Sequence, residues 1–108
     1  MQQGKVYRNG VYIGLLSKEN EDKYIFEYDV QYINSKEAKA ISPNLRLQKE
    51  PFISQNLFPF FFNMLSEGTL KEIQCKTLRI DMNDDFSRLL LTTKENTIGS
   101  VTIEPIKV

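Results

Sequence analysis

Leu57-Phe58-Pro59-Phe60-Phe61-Phe62-Asn63-Met64-Leu65-Ser66-Glu67-Gly68 puts four of the chain's seven phenylalanines within five residues. Whatever this chain folds into has to find apolar surroundings for that run. A core, a partner or a membrane could supply them. No apolar stretch approaches the ~20 residues needed to span a bilayer, so the run is not a transmembrane segment. The start, Met1-Gln2-Gln3-Gly4-Lys5, leads into no apolar signal-peptide region. A cytoplasmic protein is expected.

Asn56 can cap a helix through the run, with Pro59 in the first turn, where its missing N–H costs little. Gly68 suits a left-handed stop. At about 100° per residue, Leu57, Phe61, Leu65, Phe58 and Phe62 fan across one side of such a helix, and Phe60 and Met64 fall on the other. The apolar arc is then about 200° wide, whereas a single core-facing stripe needs little more than about 100°. A helix of that kind touches two things. In one reading it packs centrally, between a sheet and its sister helices. In the other, Phe60 and Met64, or Phe58 and Phe62, are left for another chain.

The flanking segments say what the helix packs against. Asn9-Gly10 between Val6-Tyr7-Arg8 and Val11-Tyr12-Ile13 is a hairpin signal, because a type I′ turn needs positive φ at both central residues. The second strand is expected to reach Leu16, with Ser17 to Asp22 turning the chain. Lys23 to Tyr28 alternates as a third strand, with Tyr24, Phe26 and Tyr28 on one face. Asp29 can cap a single turn through Tyr32, and Ser35 to Ala40 reads as a surface loop. Ile41 to Leu47 reads as an extended segment or short edge strand ended by Pro51. Thr69-Leu70-Lys71-Glu72 has the form of a capping box. It opens a helix with Leu70, Ile73, Thr77 and Ile80 at helical spacing and Glu72 and Lys76 paired on the wet side. Asp84 or Asn83 can cap a third helix carrying Phe86, Leu89 and Leu90. Ile98 to Ile103 alternates as a last strand closed by Pro105. The pattern is α+β: a small antiparallel sheet, made of an N-terminal meander and a C-terminal returning strand, packed with about three short helices. All 108 residues form one domain.

Composition removes most chemistry. With 41% apolar and 26% charged residues the chain has a globular makeup. Fourteen basic residues balance fourteen acidic ones, so there is no excess of positive charge to drive phosphate-backbone binding. Direct nucleic-acid binding is not expected. Histidine is absent, which removes the commonest general base and metal ligand. No phosphate loop, Cys/His cluster or nucleophile elbow appears. The carboxylates at Glu19-Asn20-Glu21-Asp22 and Asn83-Asp84-Asp85 read as turn and cap residues, and the first lacks the glycine and distal glutamate of a calcium loop. The single cysteine, Cys75, makes no internal disulfide and reads as a half-buried structural thiol. A non-enzyme without cofactor or metal is expected.

The order "VYRNGVYIGLLSKENEDKYIFEYD", "AISPNLRL", "LFPFFFNMLSEG", "DDFSRLLL", "IGSVTIEP" resembles the N-terminal subdomain of HipA-type serine/threonine kinase toxins, from about Val6 to Pro105. "SPNLRL" stands where that family has Ser-Leu-Pro wording, and Ser66-Glu67-Gly68 where it has Pro-Glu/Asp-Gly. In HipA-like toxins the kinase core follows this subdomain. Free-standing copies resemble HipS, the small protein of three-gene HipBST toxin–antitoxin modules, whose kinase HipT lacks the subdomain. The resemblance implies an antitoxin that binds and neutralises a HipT-like kinase, with DNA contacted by a HipB-like helix-turn-helix protein. The alternative it leaves open is a structural subdomain of a HipA-like kinase with no regulatory role. The expected kinase-facing residues are Phe58, Phe60, Phe62, Met64, Ser66, Glu67 and Gly68, with Leu57, Phe61 and Leu65 kept by the domain's own core.

Overall fold

A computed structural model of the chain describes residues 2–65, 67–92 and 101–106. Strand β1 (Gln2–Arg8) turns through Asn9 and Gly10 into β2 (Val11–Asn20). Those two residues hold φ of 52° and 81°, the doubly left-handed turn that Asn-Gly tolerates. β2 continues past the expected end at Leu16, because Ser17 and Lys18 still pair with Ile25 and Tyr24 of β3 (Lys23–Tyr28). A polar residue in a strand with one open face mimics a turn residue, and that is why the sequence pattern stops short.

The sheet runs β4-β3-β2-β1-β5 and is antiparallel throughout. β4 (Phe52–Ser54) and β5 (Val101–Pro105) are its edges. The described part of the expected last strand, Val101 to Ile103, lies in β5, which runs on to Pro105; residues 98–100 lie outside the described residues. The segment Ile41 to Leu47 is not the edge strand. It is a loop closed by one bridge between Ser42 and Leu45, and the edge forms only after Pro51.

Among the described residues there are four helices, α1 (Val30–Ile33), α2 (Pro59–Phe62), α3 (Gly68–Leu78) and α4 (Asp85–Thr92), and α1, α2 and α4 give Tyr32, Phe61, Phe86, Leu89 and Leu90 to the core against the sheet. The fold is α+β. The Asp29 carboxylate caps α1 by accepting the Tyr32 N–H at 3.3 Å. The Asp84 carboxylate caps α4, accepting the Ser87 N–H at 3.1 Å and its hydroxyl at 2.7 Å. Tyr24, Phe26 and Tyr28 of β3 are buried, as their alternation predicts, together with Phe86, Leu89 and Leu90 of α4.

The two middle helices differ from expectation. The aromatic run gives only one helical turn, with Phe58 rather than Asn56 at its N-cap and Pro59 first inside it. Beyond Asn63 the bonds shorten in register: the Met64 and Leu65 N–H groups donate to Phe61 and Phe62 carbonyls. That tightening to three residues per turn breaks the 100° spacing on which the broad arc rests. Gly68 is left-handed, at φ 63°, but it opens α3 instead of stopping α2. Thr69 consequently falls inside the helix. Glu67 is the N-cap without a side-chain bond, and no capping box forms. α3 buries Cys75 more fully than expected, with Lys71 and Gln74 half-buried beside it. Leu70 and Ile73, expected to face inward, are more than half exposed. Periodicity fixes the spacing of a stripe; the preceding turn decides which stripe points inward.

Gly14 is required by close approach. A Cβ there would lie 2.6 Å from the Glu27 carbonyl oxygen and 3.0 Å from the Phe26 ring. Gly14→Ala is expected to lower stability by about 1–3 kcal/mol, read by thermal or denaturant melting. Phe61, at 0% exposure, is a deeper dependence: Phe61→Ala is expected to cost about 3–5 kcal/mol and to unfold much of the population.

Candidate protein-interaction site

Phe61 organises the aromatic run. Its ring centroid lies 5.4 Å from Phe26, 6.4 Å from Phe58 and 5.3 Å from Phe60, the last two nearly edge-on. Such tilted contacts satisfy the ring quadrupoles while filling space. Phe58 is buried at 7% exposure. Most of the ring expected on an interface is used in the domain's own packing, and what remains borders the same groove as Phe60. Leu57 and Leu65, expected in the core, pack against it only half-buried, as Phe60 and Met64 do.

The remaining candidates divide between two sides of α2. Phe60 borders a small groove of about 100 Å³ between the Ser42–Leu45 bridge and edge strand β4, lined also by Phe52 and Pro59. Phe62, 44% exposed, borders a second groove of about 200 Å³, whose other walls include Leu65, Glu67, Lys71, Met82 and Arg88. Arg88 is buried, and its guanidinium meets the Asp85 carboxylate at 3.1 Å. Glu67 and Gly68 are exposed at the entry to α3. Ser66 lies outside the described residues. The structure thus joins Phe62 and Glu67 in one groove of mixed apolar and charged lining and places Phe60 in another. Met82 and Lys71 were missed by sequence reasoning. Met82 stands in a turn without periodicity, and Lys71 belongs to the α3 stripe one position away from the expected one.

The floor of the Phe60 groove is irregular chain held by two tyrosines. The Tyr28 hydroxyl accepts the Ile41 N–H at 3.1 Å and donates to the Leu45 carbonyl. The Tyr32 hydroxyl accepts the Lys39 N–H at 3.0 Å and donates to the Lys39 carbonyl at 2.9 Å. Backbone groups between Lys39 and Leu45 thereby gain partners that no sheet ladder supplies. Burial pushes the Tyr28 phenol above its ordinary 10.0, against the opposing hydrogen bond from Ile41. Burial and then the Asp29 charge push Tyr12 the same way. Among the described residues no group of three or more His, Cys, Asp or Glu could hold a metal ion, and no helix is long and apolar enough to cross a membrane.

An α+β domain with a five-stranded antiparallel sheet, and its candidate surface on an aromatic turn, is the class these observations define. The family model for the HipA N-terminal domain matches residues 4–104. The chain is similar to an uncharacterised protein of Haemophilus influenzae Rd, 36% identical over 107 residues that cover 99% of this chain and 95% of the relative. It is also similar to a solved structure described as the N-terminal domain of HipA toxin, with TM-score 0.70 and 32% identity, covering 99% of this chain and 94% of that one. The chain belongs to the HipA N-terminal domain family.

The tyrosine tether has a measurable pH signature. Where the folded state holds a phenol's pKa above its unfolded value, the unfolded chain releases the proton first, so stability is full below pH 10 and falls as pH rises beyond it. Tyr28→Phe is expected to flatten part of that alkaline slope in denaturant melts at pH 8 to 11. It is also expected to cost about 1–3 kcal/mol at neutral pH by stranding the Ile41 N–H and Leu45 carbonyl.

Proposed function

We propose that this protein is a HipS-like antitoxin: it docks on a HipT-like serine/threonine kinase toxin through the α2 region and holds the kinase inactive. The observation that carries this reading is the extent of the matches. The family domain fills residues 4–104, and the Haemophilus relative, covered over 95% of its length, consists of little besides the same domain. These 108 residues hold no histidine and no phosphate loop, so their part in acting on a kinase is to bind it. The chain's lack of histidine, together with the non-catalytic character of the family's domain, supports a binding role over chemistry. DNA contact in such a module falls to a HipB-like helix-turn-helix protein, and the cytoplasm is where all three would meet.

The surface this reading uses is Phe62 with Met64, Ser66, Glu67 and Gly68, extended by the exposed part of Met82, and with Phe60 on the far side of α2. Phe62 is the natural anchor: an aromatic ring on a short rigid turn offers large contact area at low entropic cost. Seated beside the kinase's nucleotide cleft, it would block substrate entry or hold a lobe in an unproductive position.

Co-expression with the neighbouring kinase gene, scored for growth rescue and co-purification, tests the reading. Phe62→Asp is expected to melt like the wild type, since the ring is partly exposed, yet to weaken kinase binding by about 2–4 kcal/mol through an unpaired charge in an apolar contact. Val30→Asp, 53% exposed on α1 and outside both grooves, is expected to rescue fully. Wild-type neutralisation by a folded Phe62→Asp and Phe60→Asp pair of variants would place the interface elsewhere. Failure of the wild-type protein to rescue growth or co-purify would leave the structural-subdomain alternative. Metal-dependent ATP turnover by the pure protein would overturn the non-enzymatic reading.

A further inference from the structure

Zero net charge conceals a local imbalance at one end of the sheet. Around the β2–β3 turn the charges are paired: Lys23 meets Glu19 at 3.2 Å and Lys18 approaches Glu21 at 3.9 Å. At the opposite end, next to the Asn9-Gly10 turn, Arg8, Asn9, Val11, Tyr32, Lys36 and Lys39 line a cavity of about 510 Å³. Glu37 is the one carboxylate in its wall. Arg8, Lys36 and Lys39 take part in none of the ion pairs among the described residues.

The three cations are mounted on fixed backbone. Arg8 is the last residue of β1, and its guanidinium reaches the Ala40 carbonyl at 3.5 Å. Lys39 is clamped at both N–H and carbonyl by the Tyr32 hydroxyl. Lys36 sits in a turn whose ends are tied by the Ser35 N–H to the Tyr32 carbonyl at 3.0 Å and the Ala38 N–H to the Ser35 carbonyl at 3.3 Å. Their backbone positions are therefore set before any ligand arrives, which lowers the ordering cost of binding one. The cavity falls within the ~300–1,000 Å³ of small-molecule sites, and four of its seven lining residues, Arg8, Lys36, Glu37 and Lys39, are charged. Three of those four are cations, so electrostatics selects for negative charge there.

The geometry points to a binding site for a compact phosphate-bearing polyanion, held by the Arg8 guanidinium fork and the Lys36 and Lys39 ammonium groups. A lone carboxylate would leave most of the positive charge unmatched. A chain of phosphates presents several oxygens to each cation, and the planar arginine fork matches their geometry two at a time. Three cations in a closed cluster are too few and too local for a duplex track, which needs a row of phosphate contacts. This site stands apart from the α2 grooves and does not depend on the antitoxin reading.

Sodium tripolyphosphate added to the ¹⁵N-labelled full chain at constant ionic strength tests it by two-dimensional NMR. Saturable shifts centred on the amides of Asn9, Lys36 and Lys39 are expected, several-fold tighter than those given by citrate. The double variant Lys36→Gln/Lys39→Gln is expected to raise Kd by at least about tenfold, and Arg8→Gln, on a different element, by a similar factor. Lys76→Gln, an exposed cation on α3, should leave Kd within about twofold, because its charge lies elsewhere on the surface. Shifts that grow without saturating, citrate binding as tightly as tripolyphosphate, or unchanged affinity in both cavity variants would each overturn the assignment.

Discussion

The contact between Phe61 and Phe26 joins the two layers of this domain. Phe26 stands in the middle of β3, and Phe61 descends on it from a helix of a single turn. A four-residue helix has no independent stability, since nucleation alone costs more than its few bonds return. It persists because Phe61 and Phe58 sink into the core and fix where the turn sits. Phe60 and Phe62 are then carried outward on either side as a consequence of the same anchoring. The exposed aromatic residues are held in place by the buried ones.

A second irregular element depends on β3 as well. The stretch between α1 and β4 is long for a connection without regular structure, and it is kept in place by side chains. Tyr28 belongs to the buried row of β3, yet its hydroxyl reaches past the core to the backbone at Ile41 and Leu45. Tyr32, four residues on and stacked near it with ring centroids 6.4 Å apart, holds Lys39. One strand with its following turn therefore supports both the aromatic turn and the loop, and the groove at Phe60 is the seam between them.

Signals confined to a few residues were legible in the sequence. Asn9-Gly10, the alternation of Tyr24, Phe26 and Tyr28, the Asp29 and Asp84 caps, and the burial of Phe86, Leu89 and Leu90 all rest on local geometry. What failed depended on distant contacts. The length of α2 was overestimated because the wheel assumes unbroken α geometry, which the tightened bonds at Met64 and Leu65 abandon. The inward face of α3 was misjudged because Leu70 and Ile73 looked like core residues. β4 was missed because three residues after a proline carry no periodicity. At the candidate site, the closeness of Phe62, Glu67 and Gly68 was legible from the motif, which spans seven residues of chain from the first to the last of them. The burial of Phe58 and the arrival of Met82 were not, since both follow from how α2 meets the sheet.

Counting charges and placing them lead to different conclusions. Fourteen against fourteen rules against a broad basic surface, yet says nothing about pairing. At the β2–β3 end, acidic and basic residues are close in sequence and neutralise one another within one turn. At the β1–β2 end, Arg8 arrives from a strand and Lys36 and Lys39 from a loop far along the chain, so no local pattern shows them together. The Tyr32 hydroxyl makes that juxtaposition durable, because it fixes the loop backbone next to the hairpin. The same phenolic groups that satisfy an irregular backbone thus also hold Lys39 and the turn carrying Lys36 beside Arg8 of the hairpin.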